Sequence, residues 1–367
     1  MKLLLKMMDR LRPAFHEGRL RLLRPAYDAI DFFLFSYPHR TSTAPHVRGP
    51  MSIKRYMSAV IVAVMPCIAA AIYFFGWRIV PMIVVTYVVG LSIELAFAIA
   101  RKEEINEGFF VTGLLYPLIL PPTLPLWMVA VGVAFGVVVG KELFGGTGRN
   151  LFNPALVGRC FLALAYPKEM SSDWVRPVLE FPGRLAQYIT AADLKIEAMA
   201  DAVSKATPLA AAKQGNWAEL SDLLWGNVSG CLGETSAVAV LVGGVFLLVT
   251  RVGSWRTVAA SLASFAALAA ALHWAQPDRY GPVLWHLLAG GFLFAAFFMA
   301  TDPVTSPITN AGKWVYGVLI GVVTVLIRNL TGYVEGAMFA ILLGNIVAPI
   351  LDEVVFHFRL KRLQGER

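Results

Sequence analysis

Chemistry-bearing residues are sparse in this chain, and most sit where an apolar sequence would not be expected to hold them. DAVSKATPLAAAK (201–213) sets Asp201, Ser204, Ala206 and Thr207 ahead of a proline in a polar stretch. Thr207-Pro208 before LAAAK reads as a helix start, a hydroxyl N-cap followed by proline at the first helical position. A helix N-terminus also favours an anion, so Thr207 suits both an ordinary cap and a phosphate attachment point. Glu94 lies seven residues before Arg101 in an apolar run, about 10 Å along a helix at 1.5 Å per residue. An unpaired carboxylate at that depth is expensive, so it reads either as functional or as an acid snorkelling to the interface. Asp302 follows FFMAT and precedes Pro303. A carboxylate beside broken, oxygen-rich backbone suits a hard cation such as Na+, although a helix end cap has the same pattern. Asp352, in PILDE beside Glu353, is a second acid of this kind, and it lies near the end of the last apolar run.

Other motifs exclude function classes. KELFGGTGRNLFNPALVGR (141–159) has neither GxxxxGK nor a complete GxGxxG, so no nucleotide loop is indicated. Cys67, Cys160 and Cys231 form no CxxC pair, which argues against a metal cluster or a disulfide framework. Glu107 and Glu234 read as helix-end residues.

The elements that must position these residues are membrane helices. Of 367 residues, 57% are hydrophobic and only 15% charged, against about 25% charged in a soluble domain. Apolar runs near the ~20 residues needed to cross a bilayer occur at 56–76, 79–100, 126–140, 237–250, 258–274, 283–300, 315–326 and 333–350. Shorter or proline-broken runs lie at 109–120 and 151–166. The expectation is an all-α membrane protein of ten helices. The net charge of +8 follows topology rather than nucleic acid. Arg101, Lys102, Lys141, Arg149, Arg251, Arg256 and Lys313 fall in alternate loops, leaving Arg279 and Arg328, in the turn after the ninth helix, for the others. That asymmetry places both termini inside and 167–234 outside. The N-terminal MKLLLKMMDRLRPAFHEGRLRLLR has no signal-peptide core and reads as a basic amphipathic surface segment.

The halves echo each other. FFVTGLLYPLILPPTLPLW (109–127) matches FFMATDPVTSPITNAGKW (297–314), and NPALVG (153–158) matches NIVAP (345–349). Two five-helix copies in one chain must be inverted, an arrangement that puts sites near the midplane on broken helices. The resulting divisions are a cytoplasmic segment 1–55, a first repeat 56–166, an outside loop 167–234, a second repeat 235–352 and a basic tail 353–367.

HVRGPMSIKRYM, NEGFFVTGLLYPLILPPTLPLW, FGVVVGKELFGGTGRNLFNPALVGR, FFMATDPVTSPITNAGKWVYGVLIGV and GNIVAPILDEVV closely resemble the family of B subunits of bacterial Na+-translocating NADH:quinone reductases. The D subunit of the Rnf ferredoxin-oxidising complex shares part of the pattern. The resemblance implies a urea-transporter-like fold and FMN joined through its phosphate to Thr207, within a family motif D-x-x-S-G-A-T that meets Lys205 here at the glycine. It implies a second, non-covalent flavin, riboflavin, near Asn150 and Asn153, residues that could equally cap the fifth helix or bond across helices. It further implies a quinone pocket (ubiquinone or menaquinone) at Gly90 and Glu94, with Leu91 where a second glycine is usual. Phe161, close to the fifth helix's inner end, is a weaker quinone contact. A Na+ path would use Glu94, Asp302 and Asp352. Five partner subunits (A, C, D, E and F), a flavin transferase and the bacterial inner membrane complete the expectation. With no dinucleotide fingerprint and no iron–sulfur cysteines, the chain would not oxidise NADH alone. An Rnf-type subunit and a flavin-free urea-like channel are the alternatives.

Overall fold

The computed structural model describes residues 53–102, 108–171, 174–178, 183–185, 188–190, 192–194, 206–277, 279–333 and 335–365, together with Pro13 and Tyr27. The amphipathic segment expected over 1–55 lies almost wholly outside the described residues, as do Asp201, Ser204, Lys205 and Glu107. Among the described residues the chain is all-helical, with no strand.

Helix α1 (Ile53–Phe75) and α2 (Ile79–Arg101) belong to one apolar stretch, Arg55–Arg101. Gly76 interrupts it at φ 72°, a left-handed conformation that suits glycine. Met57 and Gly90 would stand about 50 Å apart on a straight rod. Yet Met57 shares a cavity with Gly108 and Val111, and Gly90 abuts the Phe109 ring. The two helices therefore fold back as a hairpin. Arg78 locks its tip: buried, it donates from Nε to Pro122 O (3.3 Å) and from Nη2 to Leu124 O (2.7 Å).

Helices α3 (Phe109–Leu118), α4 (Leu126–Gly140) and α5 (Pro154–Ala165) follow. The α4–α5 crossing is close because both faces lack side chains, as is common between membrane helices. A Cβ on Gly158 would lie 2.5 Å from Gly132 O, and one on Gly136 would lie 2.4 Å from Pro154 O. Short helices α6 (Pro167–Ser171), α7 (Pro208–Ala212) and α8 (Leu220–Trp225) bracket the loop region. Then come α9 (Ala237–Val249), which packs on α1, and α10 (Trp255–Ala275), which packs along α13 (Asn310–Leu330). Helix α14 (Ala337–Gly365) closes the chain against α13.

Three expectations change. The run expected as one helix over 283–300 is broken earlier than Asp302. It comprises α11 (Val283–Leu288), a turn with Gly290 at φ 69°, and α12 (Phe292–Phe294) running into a π turn at Ala295–Met299. The last helix does not stop near 350 but continues through the basic tail to Gly365. Arg328 is not in a turn; it sits inside α13 and is only 3% exposed.

Among the described residues, five helical stretches are long and apolar enough to cross a bilayer: Arg55–Arg101, Leu126–Phe144, Trp255–Ala275, Asn310–Leu330 and Ala337–Gln364. Phe109–Leu118, Pro154–Ala165 and Ala237–Val249 are apolar but shorter. Valine, leucine and phenylalanine on their outer faces remain exposed, as expected where lipid is the solvent. This is an integral membrane protein.

Two clefts hold the candidate functional site

The first cleft gathers several of the expected residues. Tyr56, Lys141, Asn150, Asn153, Thr301 and Asp302 line a space of about 70 Å³. Asp302 sits in the turn after the π segment. Its Oδ2 accepts from the Thr305 hydroxyl (2.8 Å) and its Oδ1 from Val304 N–H (3.3 Å). Asn153 caps α5, its Oδ1 accepting from Ala155 N–H (3.0 Å). Asn150 accepts from Gly148 N–H (3.3 Å) and donates to Phe152 O (3.0 Å). Both amides are thus engaged locally, and pockets for ligands of flavin size run about 300–1,000 Å³. At about 70 Å³ the space is smaller than that range.

Glu94 joins this cleft through Lys141. The two form an ion pair with side chains only 5% and 4% exposed. Lys141 is therefore not the solvated loop charge that positive-inside counting expects; burial with a counter-ion replaces hydration. Neighbouring Arg101 bonds Glu142 Oε2 (2.7 Å) and its carbonyl. Gly90 faces no opening: the Phe109 ring fills the space, and a Cβ there would stand 1.9 Å from its Cζ. Phe161 stacks on Phe135 (centroids 4.3 Å, 15°). It lies four residues from the C-terminal end of α5, not by the inner end expected for it. Leu91 packs against the core. Asp352 is occupied elsewhere, accepting from Ile308 N–H (2.7 Å), Thr309 N–H (2.9 Å) and the Thr309 hydroxyl (2.5 Å).

The second cleft belongs to Thr207. About 520 Å³ in volume, its walls include Arg159, Thr207, Ser229, Tyr333, Glu234 and Glu335. Thr207 caps α7, its Oγ1 accepting from Ala210 N–H (3.3 Å). Helix α7 has five residues, so few peptide dipoles align there and the cleft itself is the stronger attraction for a ligand. Esterifying the hydroxyl removes its hydrogen and leaves the lone pairs that make the cap. The volume, a half-buried threonine hydroxyl and a largely apolar lining (Met170, Trp174, Leu209, Phe339) with Arg159, Ser229 and Tyr333 among it fit an FMN bound through its phosphate.

Sequence reasoning missed the charged floor of this cleft. Arg159 pairs with Glu335, whose Oε1 also accepts from Gly291 N–H (2.8 Å). Glu234 accepts from Cys231 N–H (2.9 Å), and Arg159 Nη2 lies 3.4 Å from Cys231 Sγ. Glu234 is thus more than a helix-end residue. Burial, then the charge of Glu335, pushes its carboxyl up, as expected for two carboxylates that share one site opposite a single guanidinium. Cys231, Glu234 and Glu335 place potential ligand atoms within 4.8 Å of one another, but the Arg159 guanidinium already supplies the positive charge. The one sequence signal is Arg159 itself, a cation inside ALVGRCFLAL. Its partner lies 176 positions away.

Residues 40–361 match the profile of the NQR2, RnfD, RnfE family. The chain is 38% identical to the B subunit of the Na(+)-translocating NADH-quinone reductase of Azotobacter vinelandii, covering 97% of each protein. The protein of the same name from Ectopseudomonas mendocina is 37% identical, again over 97% of each. That from Klebsiella pneumoniae is 36% identical over 97% of this chain and 98% of its own length. A match over most of the chain, with relatives above 30% identity along nearly their whole length, places the chain in the NQR2, RnfD, RnfE family.

Proposed function

We propose that this chain is the flavin-carrying membrane subunit of a respiratory NADH:quinone reductase that couples electron transfer to quinone with Na+ export. The observation that carries the reading is Thr207, whose hydroxyl opens on a cleft of about 520 Å³ with Arg159 in its wall. FMN bound there through its phosphate would supply one- and two-electron chemistry. The chain's own part is to hold that group against loss, to wall it with Ser229, Tyr333 and the carboxylates, and to keep Arg159 charged beside it through Glu335. Full-length likeness to B subunits favours this reading over an Rnf-type subunit. The remaining five subunits, the NADH site and a flavin transferase lie outside this chain.

Helices α1–α5 and the set α9, α10, broken α11–α12, α13 and α14 support ten crossings in two inverted repeats of urea-transporter type. For the ion path we retain Asp302, which lines the first cleft with Lys141, and Glu94, which pairs with Lys141. Asp352 we assign to the α13 cap. A quinone head at Gly90 requires the Phe109 ring to move, and Phe161 is part of another aromatic stack. No step is assigned to riboflavin at Asn150 and Asn153.

Na+ dependence in the assembled complex tests the function. A dehydrated Na+ needs oxygen ligands and a compensating negative charge. Asp302→Asn is expected to raise the half-saturating Na+ concentration and lower turnover, with covalent flavin content and NADH oxidation by the partner subunit unchanged. Glu94→Gln, which leaves Lys141 unpaired, should do the same in the complex that assembles, with rates taken per covalent flavin. Unaltered Na+ activation in both variants would remove these acids from the ion path.

Orientation in the inner membrane has its own test. Gln214 is exposed next to Lys213, while the native cysteines are buried or half-buried. Gln214→Cys should react with an impermeant maleimide in intact cells. Reaction only after lysis would place the Thr207 loop on the cytoplasmic face.

A further inference from the structure

Leu209 is a wall shared by the Thr207 cleft and a separate space of about 640 Å³ that none of the preceding roles uses. Lys213, Arg279 and Arg328 line this space together with Trp217, Trp285 and His286. Its lining contains three cations and no carboxylate among the described residues.

Arg328 makes the space a candidate site. Only 3% exposed, it lies within α13, near its end. Phe265 and Phe292 approach its guanidinium, with ring centroids 5.3 and 5.9 Å away. Nη1 donates to His286 O (2.8 Å). Nε and Nη2 have no hydrogen-bond partner among the described residues, and neither does His286 Nε2. Two acids reach Arg328 through their charge, Glu335 and Glu234. Glu335 is already held by Arg159 and Gly291, and Glu234 accepts from Cys231 N–H. Folded proteins seldom leave buried donors dry. The Nε/Nη2 edge of a guanidinium is also the edge that takes two oxygens of one oxyanion.

The walls around it are fixed. Trp285 Nε1 donates to Ala218 O (2.9 Å), and Trp217 meets Trp285 edge-on at 4.7 Å. Lys213 Nζ donates to Thr331 O (3.0 Å) and Tyr333 O (3.2 Å) at the end of α13. As an ammonium with three donors, it keeps one N–H for a ligand. Trp217, ahead of α8, is 38% exposed where it lines this space, and Tyr280 lines it ahead of α11. Such aromatic residues gather at the level of lipid headgroups.

We propose that this cleft is a phosphate-binding site, in which Arg328 Nε and Nη2 hold the oxyanion, with Lys213 and Arg279 completing the charge. The phosphate belongs either to an anionic phospholipid headgroup or to a free soluble phosphate. The site is independent of the flavin assignment.

The test is native mass spectrometry on the delipidated, assembled complex, titrated with dimyristoyl phosphatidylglycerol, its phosphatidylcholine counterpart or inorganic phosphate. A lipid source predicts one tightly retained phosphatidylglycerol, bound at least about tenfold more tightly than phosphatidylcholine, whose choline would meet the same cations. A soluble source predicts no lipid preference but a saturable rise in melting temperature with inorganic phosphate. In either case Arg328→Gln should weaken binding by about tenfold or more, and Arg279→Gln or Lys213→Gln should weaken it severalfold. Should Arg328→Gln fail to assemble, the two rim variants decide the matter. The proposal is overturned if neither probe binds saturably, or if the variants that assemble bind as the parent does. Covalent flavin, measured in the same samples, should be unchanged throughout.

Discussion

Thr207→Ala is expected to leave the chain with no flavin fluorescence in a denaturing gel, whereas Thr207→Ser should retain it. Covalent attachment needs a hydroxyl and nothing else on this residue can supply one, so the effect is complete rather than graded. Stability does not confuse the result. The substitution removes the single cap bond to Ala210 N–H, which is worth about 1 kcal/mol and confined to a five-residue helix. Helix α7 supplies Pro208, Leu209 and Ala210 to the cleft, but its charged walls come from other elements, Arg159 on α5 and Glu335 ahead of α14, and they would survive. Fluorescence persisting on the denatured Thr207→Ala chain would move the attachment point elsewhere and withdraw the cleft from its assigned role.

Lys141→Met should be strongly destabilising, costing about 3–5 kcal/mol and read as a lowered melting temperature of the solubilised complex. The cause is the orphan left behind. Glu94 and Lys141 are both almost wholly buried, and deleting one partner of a buried pair strands an uncompensated charge. Glu94→Gln carries a similar liability in Lys141. The double variant Glu94→Gln/Lys141→Met removes both charges, and most of the lost stability should return, because a buried ion pair adds little over a neutral pair of the same shape. A double variant no more stable than the worse single would show that the pair is not the cause. The cycle also bears on ion transport: Na+ can use Glu94 only if Lys141 withdraws or shares it.

Local signals are legible in the sequence. Asn153-Pro154 and Thr207-Pro208 each start a helix with the side-chain cap that the dipeptide predicts. Both depend only on neighbours within three residues. Asp302, Asn150 and Asn153 stand out separately along the chain, and they do share a cleft. Long-range pairing is not legible. Arg159 with Glu335, and Lys141 with Glu94, join residues 176 and 47 positions apart, and nothing in either local pattern names the partner. Lys141 does follow α4 in a turn, but a count of charges does not register that it is buried against Glu94. Gly90 is placed at a pocket by the family resemblance alone, with no signal in its own neighbours. Here the space beside it is filled by Phe109, a ring contributed by the next helix.

The bond from Asp352 to the start of α13 has a consequence for synthesis of the chain. Thr309 leaves the ribosome 43 residues ahead of the carboxylate that binds its amide, a lag of about 2–9 seconds at ordinary elongation rates of roughly 5–20 residues per second. Through that interval α13 can begin with the Thr309 hydroxyl on Gly312 N–H (3.1 Å), but the amides of Ile308 and Thr309 await their acceptor. The final helix is therefore a late fastener as well as the last crossing. A chain that stops short of Asp352 would present an unfinished helix end to the enzymes that survey newly inserted membrane proteins, while every helix before it is already complete.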